Sequence, residues 1–332
     1  MRLLRYVGLC AIGLVLLVAA GVGWFWYAAF GDRAHPVQPI AVVIDRGSTF
    51  DQIARQLASA GIIGNALSFR ILARLQSKDR AVRAGEYRFS AHLAQNDVLQ
   101  ALVSGGAQVA AWVTIPEGFT AVEIARRLQA SGIGKSSEFR QAFGHQRLVV
   151  DGTLTKNLEG FLFPSTYLVP IGAAPSQVAD QMTTEFFKQL SPTAAMRAKA
   201  LHVTLPQAVT VASLIEREAK SEADRPKIAE VIYNRLRLGM PLQVDASIEY
   251  ALPAHKAVLS FADLKIRSPY NTYAHAGLPP TPIANPGRPS LEAALYPSKG
   301  EDLYYVYCGH GRHVFAKTLA EHQANVSRCL GS

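Results

Sequence analysis

Between Pro206 and Asp245 apolar residues return every three or four positions. Ala208, Val211, Ala212, Ile215 and Ala219 follow this spacing, which predicts a helix with one apolar face. With Val211 at zero and about 100° per residue, Leu214 falls at about −60° and Ile215 at about +40°. Glu218 then lies at about −20°, inside the apolar stripe, and Glu216 at about +140°, where a solvated carboxylate is expected. The helix is expected to stop near Lys220. A second helix follows, capped by Ser221 or Asp224, with Pro226 in its first turn. Its buried stripe is Ile228, Val231, Ile232 and Leu236, it carries Asn234 and Arg235, and it ends at Gly239. Leu242–Asp245 reads as a short extended piece.

The same patterns organise the rest of the chain. Gly47–Ile62 matches Gly118–Ile133 without a gap, each copy reading as a turn and a helix closed by Gly61 or Gly132, after strands Ala41–Ile44 and Trp112–Ile115. Gly85–Phe89 reads as a returning strand and Asn96–Val103 as a short helix. Residues 175–191 form an amphipathic helical pattern, and Pro192–His202 continue it. Aromatic residues alternate through Asn157–Tyr167, a pattern that suits either sugar stacking or core packing around a turn. The stretch Ser268–Leu291 is long and rich in Pro, Gly and Asn, which marks an ordered functional loop. At the end come strand Asp302–Cys308, turn Gly309–Arg312, strand His313–Ala316 and a helix from Leu319.

The N-terminus departs from these periodicities. Arg2 and Arg5 precede an uncharged, mostly apolar run from Tyr6 to Gly31, ending in Trp24, Phe25, Trp26 and Tyr27. A run of this length spans a bilayer, with its basic side in the cytoplasm and its aromatic cluster at the far interface. A cleaved signal peptide is the competing reading, but the run exceeds an ordinary signal core. The chain therefore divides into a cytoplasmic tail and transmembrane helix over 1–31, a linker over 32–40, an α/β module over 41–110 and an α+β domain over 111–330. This is a single-pass topology that puts all after the span outside the cytoplasm.

Composition adds little to this until charge is considered. The 332 residues are 49% hydrophobic, sufficient for a sizeable core, and carry a net charge of +9. Such a balance suits anionic lipid or an acidic polymer. No nucleic-acid-binding motif accompanies it, so nucleic acid is not an expected partner. Of three cysteines, Cys10 lies in the span. Cys308 and Cys329 would face an oxidising compartment, either paired or as two free thiols. Cys308, His310 and His313 match no closed zinc site, and a hairpin turn explains them as well; no metal or cofactor is expected.

The chemistry centres on Glu218. A carboxylate in an apolar face loses solvation, so its pKa rises, as a general acid at neutral pH requires. A buried ion pair with Arg or Lys is the alternative.

Several segments in order resemble one family: Glu159–Pro164, Ala212–Glu218, Val231–Leu236, Gly239–Asp245, Tyr270–Tyr273, Gly277–Pro280, Pro282–Gly287 and His313–Phe315. Together they resemble the YceG-like, membrane-anchored endolytic murein transglycosylases. One departure is Ser165, where many relatives carry Asp. The repeat with its Gly-x-Thr turns resembles LysM-like modules that bind N-acetylglucosamine polymers, with a structural spacer as the alternative. The resemblance implies a bacterial inner-membrane protein with its catalytic domain in the periplasm, acting on peptidoglycan glycan strands alongside cell-wall synthases (penicillin-binding proteins). It implies cleavage of the MurNAc-β-1,4-GlcNAc bond to 1,6-anhydro ends, ending glycan elongation, with Glu218 as general acid and base. Gln243, Asp245, Asn271, Tyr273, Tyr270 and Asn234 are the expected substrate-binding residues. A non-catalytic peptidoglycan-binding scaffold and an ordinary hydrolase pairing Glu218 with Asp245 remain as alternatives.

Overall fold

The computed structural model describes residues 13, 16–27, 40–89, 94–252, 254, 256 and 259–330. From residue 40 the chain runs β1 (Ile40–Ile44), α1 (Phe50–Ser59), α2 (Ala66–Leu75), β2 (Gly85–Phe89), α3 (Gln95–Ser104), β3 (Gln108–Thr114), α4 (Ala121–Ala130) and α5 (Ser136–His145). There follow β4 (Val149–Val150), β5 (Thr153–Leu154), β6 (Thr166–Pro170), α6 (Pro175–Gln189), α7 (Ala194–Ala200), α8 (Leu205–Glu218) and α9 (Arg225–Leu238). The last elements are α10 (Asp245–Ala251), α11 (Arg288–Leu295), β7 (Tyr304–Tyr307), β8 (His313–Ala316) and α12 (Leu319–Leu330). The class is mixed α+β, as expected, with antiparallel pairing in β1–β2, β2–β3, β4–β5 and β7–β8.

Residues 16–27 are helical. Among the described residues no helix is long and apolar enough to cross a membrane. Most of the span expected over 1–31, and all of the 32–40 linker but Ile40, lie outside the described residues.

The chain divides into two units. The first runs to Trp112 and includes Leu168–Ile171; the second holds Val113–Tyr167 and everything from Gly172 onward. One sheet has the strand order β1-β2-β3-β6, with Ile40 opposite Phe89 and Ile44 opposite Gly85. The first unit's core is Ile44, Leu57, Phe69, Leu72, Tyr87, Leu99 and Leu102. Helix α2, which the hydrophobic pattern did not announce, starts where the Asn65 side chain accepts from the N–H groups of Leu67 and Ser68.

The repeat has a local cause in each copy. Thr49 and Thr120 cap α1 and α4, and Gln52 and Glu123 reach back to the cap N–H, closing capping boxes. Gly61 and Gly132 follow the helix ends at φ 74° and 76°, the left-handed region that glycine enters without steric cost.

In the second unit, α8 is not one-sided. Leu205 and Ala208–Ile215 are all buried, including Thr210 and Ser213. Their hydroxyls satisfy the burial: Thr210 donates to the Pro206 carbonyl, and Ser213 donates to the Thr210 carbonyl while accepting from Ile283 N–H. The helix is thus the centre of a core shared with Phe161, Phe186, Ile228, Ile232, Leu291 and Leu295. Helix α9 keeps its expected bounds, with Pro226 in its first turn and Gly239 closing it at φ 67°.

Candidate active site

Helix α8 ends on Glu218; the next residue, Ala219, already has extended backbone. The last side chain of the most buried helix therefore emerges into a cleft of about 810 Å³. Five other segments line it: α9 through Arg235, the stretch bearing Gln243, Asp245 and Ala246, the loop bearing Tyr273, the β7–β8 hairpin through Tyr305, Tyr307 and His313, and α12 through His322 and Val326.

Glu218 as a residue is part-buried, but its carboxyl is enclosed. Tyr305 Oη donates to its Oε2 at 3.2 Å, and the Ala246 N–H at the start of α10 also donates to it. Burial pushes its pKa up to about 7; the Asp245 charge pushes the same way, while Tyr305, Lys220 and Ala246 pull it down. A carboxyl so placed holds its proton near neutrality and gives it up readily.

Asp245 accepts a hydrogen bond from Tyr273 Oη at 2.5 Å. Gln243 has φ 54°, strained for a residue with a side chain. Its N–H donates to the Thr272 carbonyl at 3.0 Å, and its Oε1 accepts from Arg235 Nη1 at 3.2 Å. Arg235 also donates to the carbonyls of Leu242 at 2.8 Å and Leu303 at 2.7 Å. One guanidinium on α9 thereby fixes both the extended segment and the approach to β7.

Of the residues expected at the site, Glu218, Gln243, Asp245 and Tyr273 line this one cleft. Three do not. Asn271 is buried, its amide donating to the carbonyls of Leu264 and Ile266 and accepting from the N–H groups of Tyr273 and Ala274. Asn234 donates to the carbonyls of Gly300 and Asp302. Tyr270 shares a hydrogen bond with Thr281. Asn271 and Asn234 brace backbone, and Tyr270 braces a side chain of its own loop. Glu216 is also not the solvated residue expected: its side chain is 7% exposed, accepting from Gly287 N–H and pairing with Arg225.

Tyr305 is the residue sequence reading missed. Nothing in Tyr304–Tyr307 separates it from its strand neighbours, and it reaches Glu218 from far along the chain. Its hairpin is tied to α12 by a disulfide between Cys308 and Cys329, with Cα atoms 4.7 Å apart, which resolves the open choice between a pair and two thiols. His313 packs edge-on to Tyr305 and is held by Asp224, through its N–H at 2.9 Å and Nδ1 at 3.0 Å.

The Glu159–Pro164 segment is core and scaffold, with Phe161 and Phe163 buried. Asn285 accepts from the N–H groups of Gly160 and Leu162 and donates to Glu159 and the Phe119 carbonyl. At Gly160, φ is 89°, and any Cβ would run into the Pro282 ring.

The match of a family model, described as the YceG-like family, covers residues 42–328. The chain belongs to the YceG-like family. A relative from Bacillus subtilis, named endolytic murein transglycosylase, is 34% identical over 313 residues, covering 88% of this chain and 85% of its own. One from Streptococcus pneumoniae with the same name is 31% identical over 353 residues, covering 95% of this chain; this chain spans 64% of that relative. The crystal structure of a YceG-like protein from Listeria monocytogenes aligns with a TM-score of 0.63 at 30% identity, over 87% of this chain and 99% of that one.

Proposed function

We propose that this YceG-like protein is an endolytic murein transglycosylase, cutting the β-1,4 bond between MurNAc and GlcNAc within peptidoglycan strands and leaving 1,6-anhydro ends. The observation that carries this reading is Glu218, a proton-retaining carboxyl lining a cleft of about 810 Å³. The relatives' shared name supports the reaction class.

The reaction needs one acid that later serves as base. Glu218 gives its proton to the leaving GlcNAc O4 as the C1–O4 bond breaks. The MurNAc C6 hydroxyl attacks C1, forming the O6–C1 bond, and its proton returns to the Glu218 carboxylate. The nucleophile is held in the same sugar, so high effective molarity replaces a bound and activated water. Tyr305 holds Oε2 in place, which fixes the orientation of the carboxyl that exchanges the proton. Asp245, oriented by Tyr273, is negatively placed to stabilise oxocarbenium-like charge at C1, and Gln243 offers its amide to the N-acetyl group.

The wider reading extends to the rest of the chain. The uncharged run Tyr6–Gly31 acts as a single-span inner-membrane anchor with the catalytic unit in the periplasm. The β-α-α-β order of β1, α1, α2 and β2 supports a LysM-like glycan holder. Cell-wall synthases, which supply new strands, are the partners. Membrane pellets washed with high salt and carbonate should retain the full chain.

The deciding experiment is digestion of purified sacculi followed by mass spectrometry. Wild-type protein yields anhydro-muropeptides, and Glu218→Gln lowers the rate by about 10³-fold or more. Reducing ends instead would mean hydrolysis with Asp245 as partner, and binding without new ends would mean a scaffold.

A further inference from the structure

A second chamber, of about 600 Å³, shares Arg217 and Glu249 with the catalytic cleft. These two side chains are paired at 3.1 Å, so an ion pair lines both spaces. Within the chamber the rings and alkyl groups of Tyr250 and Ile283 lie with Val122 and Arg126 from α4.

The internal repeat makes Arg126 conspicuous. The gapless match places Arg126 where the first copy has Arg55, and Val122 where it has Asp51. In the first copy Arg55 pairs with Asp51 one turn earlier, at 2.6 Å. In the second copy valine has replaced that acid. Arg126 is exposed and has no ion-pair partner among the described residues, and the valine beside it is 39% exposed. The difference removes a helix-surface pair and leaves a guanidinium with an apolar neighbour, both lining a space that shares Arg217, Ala246 and Glu249 with the proposed reaction centre.

The polymer dictates what such a space must admit. Each muramyl sugar carries a short peptide on its lactyl ether, with free carboxylates and apolar alanine side chains. A cleft that grips the glycan must lead that branch somewhere. We propose that the chamber receives the acidic stem peptide of the muramyl residue bound in the cleft, with Arg126 as the partner of a peptide carboxylate. The proposal rests on the glycan-strand reading above. An unpaired guanidinium matches a carboxylate in charge. Tyr250 and Val122 supply the apolar surface for the peptide's methyl groups, and the Arg217–Glu249 pair stands where the chamber and the cleft share a wall.

The test measures binding in the Glu218→Gln background, so it does not depend on turnover. Strands still carrying peptides are compared with strands stripped of them by an amidase. The Glu218→Gln protein is expected to bind peptide-bearing strands about tenfold more tightly, and Arg126→Glu to erase that difference while leaving affinity for stripped strands within about twofold. Arg126→Lys should recover most of it, because the charge is kept. Equal affinity of Glu218→Gln for both strands, an equal loss on both with Arg126→Glu, no change on either, or failure of lysine to recover binding would overturn the proposal. Absence of anhydro products from the wild type would instead overturn the catalytic reading. Arg126 is solvent-exposed on α4, so none of these variants disturbs the core.

Discussion

Glu218 owes its proton to burial first, and Tyr305 sets how firmly it is kept. The Tyr305 hydroxyl stabilises the charged carboxylate, so it holds the pKa below what burial alone would give. In the proposed reaction the acid form must be present for bond cleavage. The pH profile of kcat/KM is therefore expected to fall as pH rises through about 7. Tyr305→Phe should move that limb to higher pH and lower kcat, with KM little changed, in initial rates on soluble glycan strands from pH 5 to 9. A purely structural role would leave the limb in place. At this scale the sequence is half-readable. Glu218, Gln243 and Asp245 stand in short segments whose spacing and neighbours single them out. Asn271 and Asn234 send the same signal, yet bond inward, because an amide in a Pro-rich loop or on a helix looks alike whether it meets a ligand or a carbonyl. Tyr305 has no local mark, since its role comes from the distant residue it meets.

Among elements, the cleft wall formed by α12 is weakly embedded. None of its residues is buried, and the disulfide joins it covalently to the β7–β8 hairpin. Closing a loop of this size contributes about 3 kcal/mol by chain entropy. Cys329→Ser is expected to lower kcat/KM about tenfold and to raise amide exchange in α12, while exchange in α8 stays slow; equal exchange in both helices would show that the wall does not open separately. The opposite holds at Asn285, which ties three segments of the core together. Asn285→Ala leaves buried N–H groups without acceptors and should cost about 3 kcal/mol in denaturant unfolding. Most elements could be read from periodicity and caps, as in α1, α4 and α9. Helix α10 could not, being short and built on Asp245–Ala251 directly after strained backbone, and the all-round burial of α8 was hidden because Thr210 and Ser213 resemble a polar face.

For the molecule as a whole, two buried carboxyls link folding to pH. Glu159, under burial and against the pull of Ala121 N–H, Tyr250 and Asn285, is pushed up to about 8, and Glu218 to about 7. Both are raised above the unfolded value of 4.5, so the folded state binds more protons between these limits. Their stabilising contribution is complete below 4.5 and is lost as pH rises through about 7 and then about 8. Melting temperature is expected to decline from pH 6 to 9, and Glu218→Gln should flatten the earlier part of that decline.

Because the acid is the final residue of α8, its direction is fixed by helical phase. Inserting one alanine near Thr210 would turn Glu218 by about 100° and advance it about 1.5 Å, carrying Arg217 with it and replacing no side chain that lines the cleft. Such a lengthened helix would carry the same carboxyl past Tyr305 and into packed side chains, so reactivity here is tied to counting residues along a rod anchored by its capped N-terminus at Thr204.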